Sequence, residues 1–283
     1  MSRRKSRGGT EKAPFSLASA LADHPLTTSA VPFEYDPVAL LPEVKVIKIG
    51  GQSIMDRGRA AVFPLIEEIV AAKEEHWMLL CCGGGTRARH LYAVAADLEL
   101  PTGVLAALGA YVPRQNARML QMLLARHGGV FIQNDDFEKL PLYFRMGCIP
   151  IMTGMPPFSY WEKPAEKGRI PPNRTDAGVF LSAEFLGVRR AIFVKDEDGL
   201  YDDDPKKNPR ARRIPRISAQ ELLRLDLPDL VVERVVIEYL TRARFCREIQ
   251  IVNGLERGQL TRALAGEDVG TVVYDEREGG RTG

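Results

Sequence analysis

The chain has 283 residues, 45% of them hydrophobic and 27% charged. Those proportions suit a globular protein with a substantial core and a length fit for one large α/β domain or two closely joined halves. A formal charge of +2 argues against a strong general pull on nucleic acid or membrane, and no run approaches the ~18 apolar residues of a membrane span.

Residues 1–40 are rich in Ser, Pro, Ala and Gly and lack sustained periodicity, so they read as a flexible or partner-clasping arm ahead of a domain at 41–283. The charged start at Ser2-Arg3-Arg4-Lys5 is not followed by a compact apolar core and cleavage site, which predicts no signal peptide. Val44 to Ile49 reads as a strand ending at Gly50-Gly51, and residues 59–75 carry helical spacing. Trp77 to Cys82 is a second strand, closed by Gly83-Gly84-Gly85, with a helix over 87–97. A helix over 116–126 and a short strand at Val130-Phe131-Ile132 follow. Ile149 to Met152 is a strand candidate weakened by Pro150. After the turn at Ile170-Pro171-Pro172-Asn173-Arg174, the pattern predicts a helix over 175–187, a strand over 190–194, helices over 218–225 and 232–245, and strands over 248–252 and 271–273. Strands alternating with helices imply right-handed crossovers, hence an α/β fold: a three-layer αβα sandwich around a mostly parallel sheet.

The four cysteines, Cys81, Cys82, Cys148 and Cys246, show no C-x-x-C spacing and sit in apolar surroundings. Buried free thiols in a reducing cytosol are expected rather than a metal site. The run Lys206 to Arg213 reads as a solvated basic loop.

Two strand ends carry the strongest chemical signal. Lys48-Ile49-Gly50-Gly51, with Ser53 after it, combines an ammonium with glycines that let backbone N–H groups approach an anion; a tight turn with a solvated lysine fits it equally well. Lys195-Asp196-Glu197-Asp198-Gly199-Leu200-Tyr201, then Asp202-Asp203-Asp204-Pro205, crowds carboxylates after an apolar strand. Those acids fit a magnesium–phosphate site or a solvated Asp-Gly turn. Together the two segments make ATP, with Mg²⁺, the first candidate ligand. Gly83-Gly84-Gly85-Thr86, followed by Arg87, Arg89 and His90, fits an anion site at a helix N-terminus or a tight turn with surface arginines. Thr175-Asp176 reads first as helix capping, with Asp176 facing an active cleft as the alternative. Neither G-x-G-x-x-G nor G-x-x-x-x-G-K-[ST] occurs with its required context, which disfavours nicotinamide dehydrogenases and P-loop NTPases.

In order, Lys48-x-Gly50-Gly51, Gly83 to Gly85, Thr175-Asp176-Ala177, Lys195 to Tyr201 with Asp204-Pro205, and Val252-Asn253-Gly254 resemble the amino acid kinase family, uridylate kinase branch, over about residues 44–273. Longer runs, among them Val46 to Ser53, Gly85 to Tyr92, Arg174 to Gly178, Phe193 to Tyr201 and Leu260 to Glu267, are similar to the β-type subunit of the family's molybdenum-storing branch. That resemblance implies a cytoplasmic cage, a hexamer of α- and β-type subunits, holding polynuclear molybdate or tungstate clusters and hydrolysing ATP during loading. It implies that Lys48, Gly50, Gly51 and Ser53 face the ATP phosphates, that Lys195, Asp198, Gly199 and Tyr201 surround the nucleotide, and that Asp176 organises the lysines. Gly84, Gly85 and Arg87 would meet a phosphate or oxyanion. The other outcome the family allows is a phosphotransferase converting ATP and UMP to ADP and UDP. Phe245 stands where the storage branch has His, and no histidine-rich stretch supplies cluster ligands, so the metal ligands are left unassigned.

Overall fold

The computed structural model describes residues 38–156, 169–205, 207–227 and 230–277; the expected arm lies outside these but for residues 38–40. In chain order the strands are β1 (Lys45–Ile49), β2 (Met78–Cys82), β3 (Gly129–Phe131), β4 (Ile149–Thr153), β5 (Arg190–Lys195), β6 (Leu200–Tyr201), β7 (Arg213–Ile214), β8 (Arg216–Ser218), β9 (Glu248–Asn253) and β10 (Thr271–Tyr274). Eight of them form one sheet in the order β3-β4-β2-β1-β5-β9-β10-β8, while β6 and β7 make a separate antiparallel ribbon. Every neighbouring pair in the large sheet is parallel except β9 with β10.

The helices are α1 (Arg59–Ala72), α2 (Gly85–Asp97), α3 (Thr102–Leu124), α4 (Leu140–Arg145), α5 (Thr175–Leu186), α6 (Ala219–Leu225), α7 (Arg234–Leu240) and α8 (Gln259–Leu264). Strand alternation divides the core. Val44, Val46, Cys81, Ala191 and Phe193 point to one face and pack with α5, α6 and α7. Ile47, Ile49, Cys82, Ile192 and Val194 point to the other, where α1, α3 and α8 cover them. Two helical layers around a mostly parallel sheet give the expected αβα sandwich. Among the described residues no helix is long and apolar enough to cross a membrane.

Several boundaries differ from expectation. The third helix begins at Thr102, not at 116. Gly103, Gly109 and Pro113 have low intrinsic helix propensity, but Leu105 and Val112 pack against Ala88 and Tyr92 of α2, and this burial outweighs local propensity. Having no side chain, Gly109 also lets the Tyr92 ring lie against it. Pro150 does sit in a strand flanked on both sides. It lies one residue before the β2–β4 ladder begins at Leu80↔Ile151, so the missing N–H breaks no bond there. The predicted helix over 232–245 shrinks to Arg234–Leu240, because the N–H groups of Arg244, Phe245 and Cys246 turn instead to the Glu184 carboxylate at 2.7–3.0 Å. Ribbon β6–β7, β8, α4 and α8 were not anticipated.

Candidate functional site

In β1 the inward series Val44, Val46 is broken by Lys48, and in β5 the series Ala191, Phe193 is broken by Lys195. Residues two apart on a strand share a face, and the register pairs Lys48 with Phe193. Both ammonium groups therefore emerge on the α5 side of the sheet, at the carboxyl ends of adjacent strands. Here β1 leads to strands on one side and β5 to strands on the other, the crevice where open α/β sheets hold ligands.

The N-terminus of α5 meets them with Asp176. Lys48 Nζ is ion-paired with Asp176 Oδ1, and Lys195 Nζ lies 3.1 Å from Oδ2. Lys48 and Lys195 are only 5% and 9% exposed, so the charges are held largely by one another. Burial would raise the Asp176 carboxyl, but Lys195 and Lys48 hold it well below the usual carboxylate range. Burial also pulls on Lys48, yet Asp176 at contact outweighs it and lifts Lys48 above an ordinary lysine. Lys195, farther from the carboxylate and repelled by Lys48, is pushed by burial down to about 8. Two ammoniums sharing one carboxylate titrate as a set, and Lys195 is the member that gives up its proton first.

The capping reading of Thr175-Asp176 is corrected. Arg174 is the N-cap and makes no side-chain cap bond. The cap comes from Glu233, whose carboxylate accepts from the backbone N–H of Arg174 (3.1 Å), Asp176 (3.2 Å) and Ala177 (3.1 Å). The Asp176 carboxylate is thereby left for the lysines and for the backbone N–H of Glu233.

The glycine segments interlock. Gly50 N–H donates to Val194 O at 3.0 Å, stapling the β1 turn to β5. A side chain on Gly51 would strike the backbone nitrogen of Gly85, and one on Gly85, at φ +74°, would strike the Asp56 carboxylate. Asp56 itself accepts from Thr86 N–H at 2.6 Å, so the expected anion site at the start of α2 is partly filled by the protein's own carboxylate. Arg87 is also drawn away. Its guanidinium bonds Gln115 at 3.0 Å and Asn116 on α3, and Asn116 in turn donates to Gly83 O at 2.6 Å. Arg87 thus braces the glycine turn from behind, and Arg89 is the α2 arginine that faces the cavity.

That cavity measures about 460 Å³. Its floor is Lys48, Gly51, Ser53, Gly83 to Gly85, Asp176 and Lys195; Tyr92, Gly109 and Pro113 of the α2–α3 pair form one wall, with Arg174 and Val231 to Glu233 opposite. Asp196 and Glu197 also line it, and Asp196 pairs with Arg57 at 2.5 Å, joining the loops after β5 and β1. The other predicted residues fall elsewhere. Asp198 and Tyr201 line a second cavity of about 180 Å³ with Arg213, Asn253, Glu256, Gln259 and Gly270. Asn253 Nδ2 donates to Asp198 at 2.8 Å, while burial and Asp198 raise the Tyr201 phenol. Gly199, at φ +133°, abuts Thr271. Gly50, Gly199, Arg87 and His90 line neither cavity. Among the described residues no three of His, Cys, Asp or Glu converge as metal ligands, so the residues do not form a magnesium cage of their own.

Sequence reasoning missed Glu233 altogether. The acid precedes an ordinary apolar stretch, and its partners are backbone groups more than fifty residues away.

The sequence and fold have counterparts in known proteins. Over 234 residues, 83% of this chain and 87% of the relative, the sequence is 53% identical to molybdenum storage protein subunit beta of Azotobacter vinelandii. It is 27% identical to the uridylate kinase of Thermococcus kodakarensis over 237 residues, 81% of this chain and 98% of that enzyme. The crystal structure of uridylate kinase from Archaeoglobus fulgidus shares the fold, with a TM-score of 0.63 at 22% identity over 82% of this chain and all of that one. Residues 43–237 match the model of one family, and with the storage-protein likeness this establishes that the chain belongs to the amino acid kinase family.

Proposed function

We propose that this chain is an ATP-binding subunit of a molybdate- or tungstate-storing assembly, in which ATP hydrolysis accompanies loading of the oxyanion. The observation that carries the reading is the buried Lys48–Asp176–Lys195 set on the floor of the larger cavity. Two ammoniums share the one carboxylate of Asp176, while the nearby Glu233 carboxylate is taken up by α5 N–H groups and Arg174, so the lysines suit the terminal phosphates of a triphosphate. Gly51 and Gly83 to Gly85 allow close backbone approach to those oxygens, and the neighbouring cavity at Asp198 and Tyr201 is where the nucleoside end would lie.

Magnesium would enter with the nucleotide, bound mainly by phosphate oxygens and water, and would neutralise triphosphate charge. The protein's own part is narrower. Lys48 and Lys195 hold the phosphates, Asp176 keeps the two lysines in register, and Ser53 adds a hydroxyl at the turn. Molybdate and tungstate are tetrahedral dianions like phosphate, so an ATP-driven oxyanion store needs little change in donor chemistry. The likeness to a storage-protein β subunit supports an assembly of more than one subunit type; a cytoplasmic hexamer with α-type partners is part of the proposal, the clusters being cargo rather than a resident cofactor.

The test is to incubate the purified protein with molybdate and MgATP, desalt, and count retained molybdenum. Retention well above that of an unrelated protein is expected, with ATP hydrolysis that needs no nucleoside monophosphate. Retention at the control level sinks the storage role. ADP release strictly dependent on UMP would establish the phosphotransferase reading, which the Arg89 end of the cavity could serve as an acceptor site.

A further inference from the structure

The α5 N-terminus ends on the cavity wall with a run of backbone donors. Helix starts leave such N–H groups without partners and carry positive partial charge, so they attract anions. In a cavity built for phosphates, an open α5 terminus would compete with the lysines for the same oxygens. Glu233 removes that competition. Its two carboxylate oxygens take three α5 N–H groups at 3.1–3.2 Å, and its own backbone N–H donates to Asp176 Oδ2 at 3.1 Å. Asp176 is therefore gripped by one residue at both its backbone and its carboxylate.

Resting on the proposed triphosphate site, we propose that Glu233 is its positioning residue: an internal carboxylate that occupies the α5 N-terminus and fixes Asp176 between Lys48 and Lys195.

Two further observations agree with it. Val231, two residues earlier on the same wall, has φ +60°, a strained setting for a β-branched side chain. The segment accepts that strain while delivering Glu233 to α5. The segment is also tied to α5 beyond Glu233. Tyr239 donates to Asn173 Oδ1 at 2.6 Å just before α5, and Glu184 near its end holds the N–H groups of 244–246. These bonds hold the chain that carries Glu233 against both ends of α5.

The experiment uses the full chain and the variants Glu233→Ala and Glu233→Gln. MgATP affinity by equilibrium dialysis and the thermal midpoint are measured with sodium formate and with matched sodium chloride. Glu233→Ala should bind MgATP roughly ten- to a hundredfold more weakly, the loss expected when charge-assisted hydrogen bonds no longer hold Asp176 between the lysines. Formate should enter the vacated place, recovering part of the affinity and raising the thermal midpoint of Glu233→Ala but not of the wild type. Should Glu233→Ala fail to fold, Glu233→Gln serves. It fills the space and its amide oxygen can accept from two of the three N–H groups, but its NH2 faces the third, so affinity should fall with no formate response. Wild-type affinity in either folded variant overturns the inference, as does an equal formate effect on Glu233→Ala and wild type. If the wild type binds no ATP, the proposed function fails, while the formate effect on Glu233→Ala still decides what Glu233 does.

Discussion

Asp176 is the counter-ion on which two buried ammoniums depend. Removing one member of a buried ion set leaves an uncompensated charge, at a cost of about 3–5 kcal/mol. Asp176→Asn should therefore lower stability by that order in denaturant titration, whereas Lys48→Ala leaves Lys195 paired with Asp176. Lys48→Ala is expected to keep a cooperative unfolding transition yet bind MgATP weakly; unchanged affinity would remove Lys48 from the site. Lys195 makes the site sensitive to pH. Its folded-state value near 8 lies below the ordinary lysine value of 10.5, so between those limits the unfolded chain holds more protons and stability contributed here rises with pH. A triphosphate reverses the balance by drawing the proton back onto Lys195. Calorimetric titration of MgATP near pH 8 in buffers of different ionisation heat should report net proton uptake that shrinks toward pH 6.5. Heats independent of the buffer would contradict this assignment.

At the scale of elements, the two glycine turns act as one unit, because Gly51 packs on the Gly85 backbone and Gly83 on Gly51. Gly51→Ala forces backbone against backbone, and the expected outcome is loss of MgATP binding together with a lower thermal midpoint. Gly58→Ala, with open space around its Cβ position but φ +68° and ψ −147°, a setting essentially reserved for glycine, should reduce stability by about 1–3 kcal/mol and leave binding intact. The same elements explain what the sequence revealed. Strands β1, β2 and β5 are buried on both faces and so read as largely apolar runs. Lys48 and Lys195 were visible because each interrupts such a run. Helix α3 was half hidden, since its Gly109 and Pro113 make sense only against Tyr92 and Gly84. Ribbon β6–β7, with two residues per strand, is too short for any period to register. Arg87 was the arginine expected to meet an oxyanion, but α3 claims it and leaves Arg89 facing the cavity. Glu233 was invisible because its role lies in backbone geometry rather than in a side-chain pattern.

Across the whole molecule, the larger cavity draws on both helical layers and the sheet, so a ligand there should stabilise the domain as a unit. Ligand at a hundred times its dissociation constant adds about 2.7 kcal/mol, which for a domain of this size corresponds to a rise of roughly 5–10 °C in the thermal midpoint. Differential scanning fluorimetry with MgATP should show that rise in the wild type and lose most of it in Lys48→Ala. Pairing of β1 with β5 has a further consequence. Lys48 stands opposite Phe193, two places before Lys195, so the separation of the two lysines is fixed by strand spacing and rise, and therefore by backbone hydrogen bonds in the centre of the sheet. Such bonds open only when the whole domain opens. Amides of Ile47 to Ile49 and of Ile192 to Val194 should accordingly be among the slowest in the chain to exchange with deuterium, and should share one opening free energy. The lysine pair would then keep its geometry until the last cooperative unit of the domain is lost.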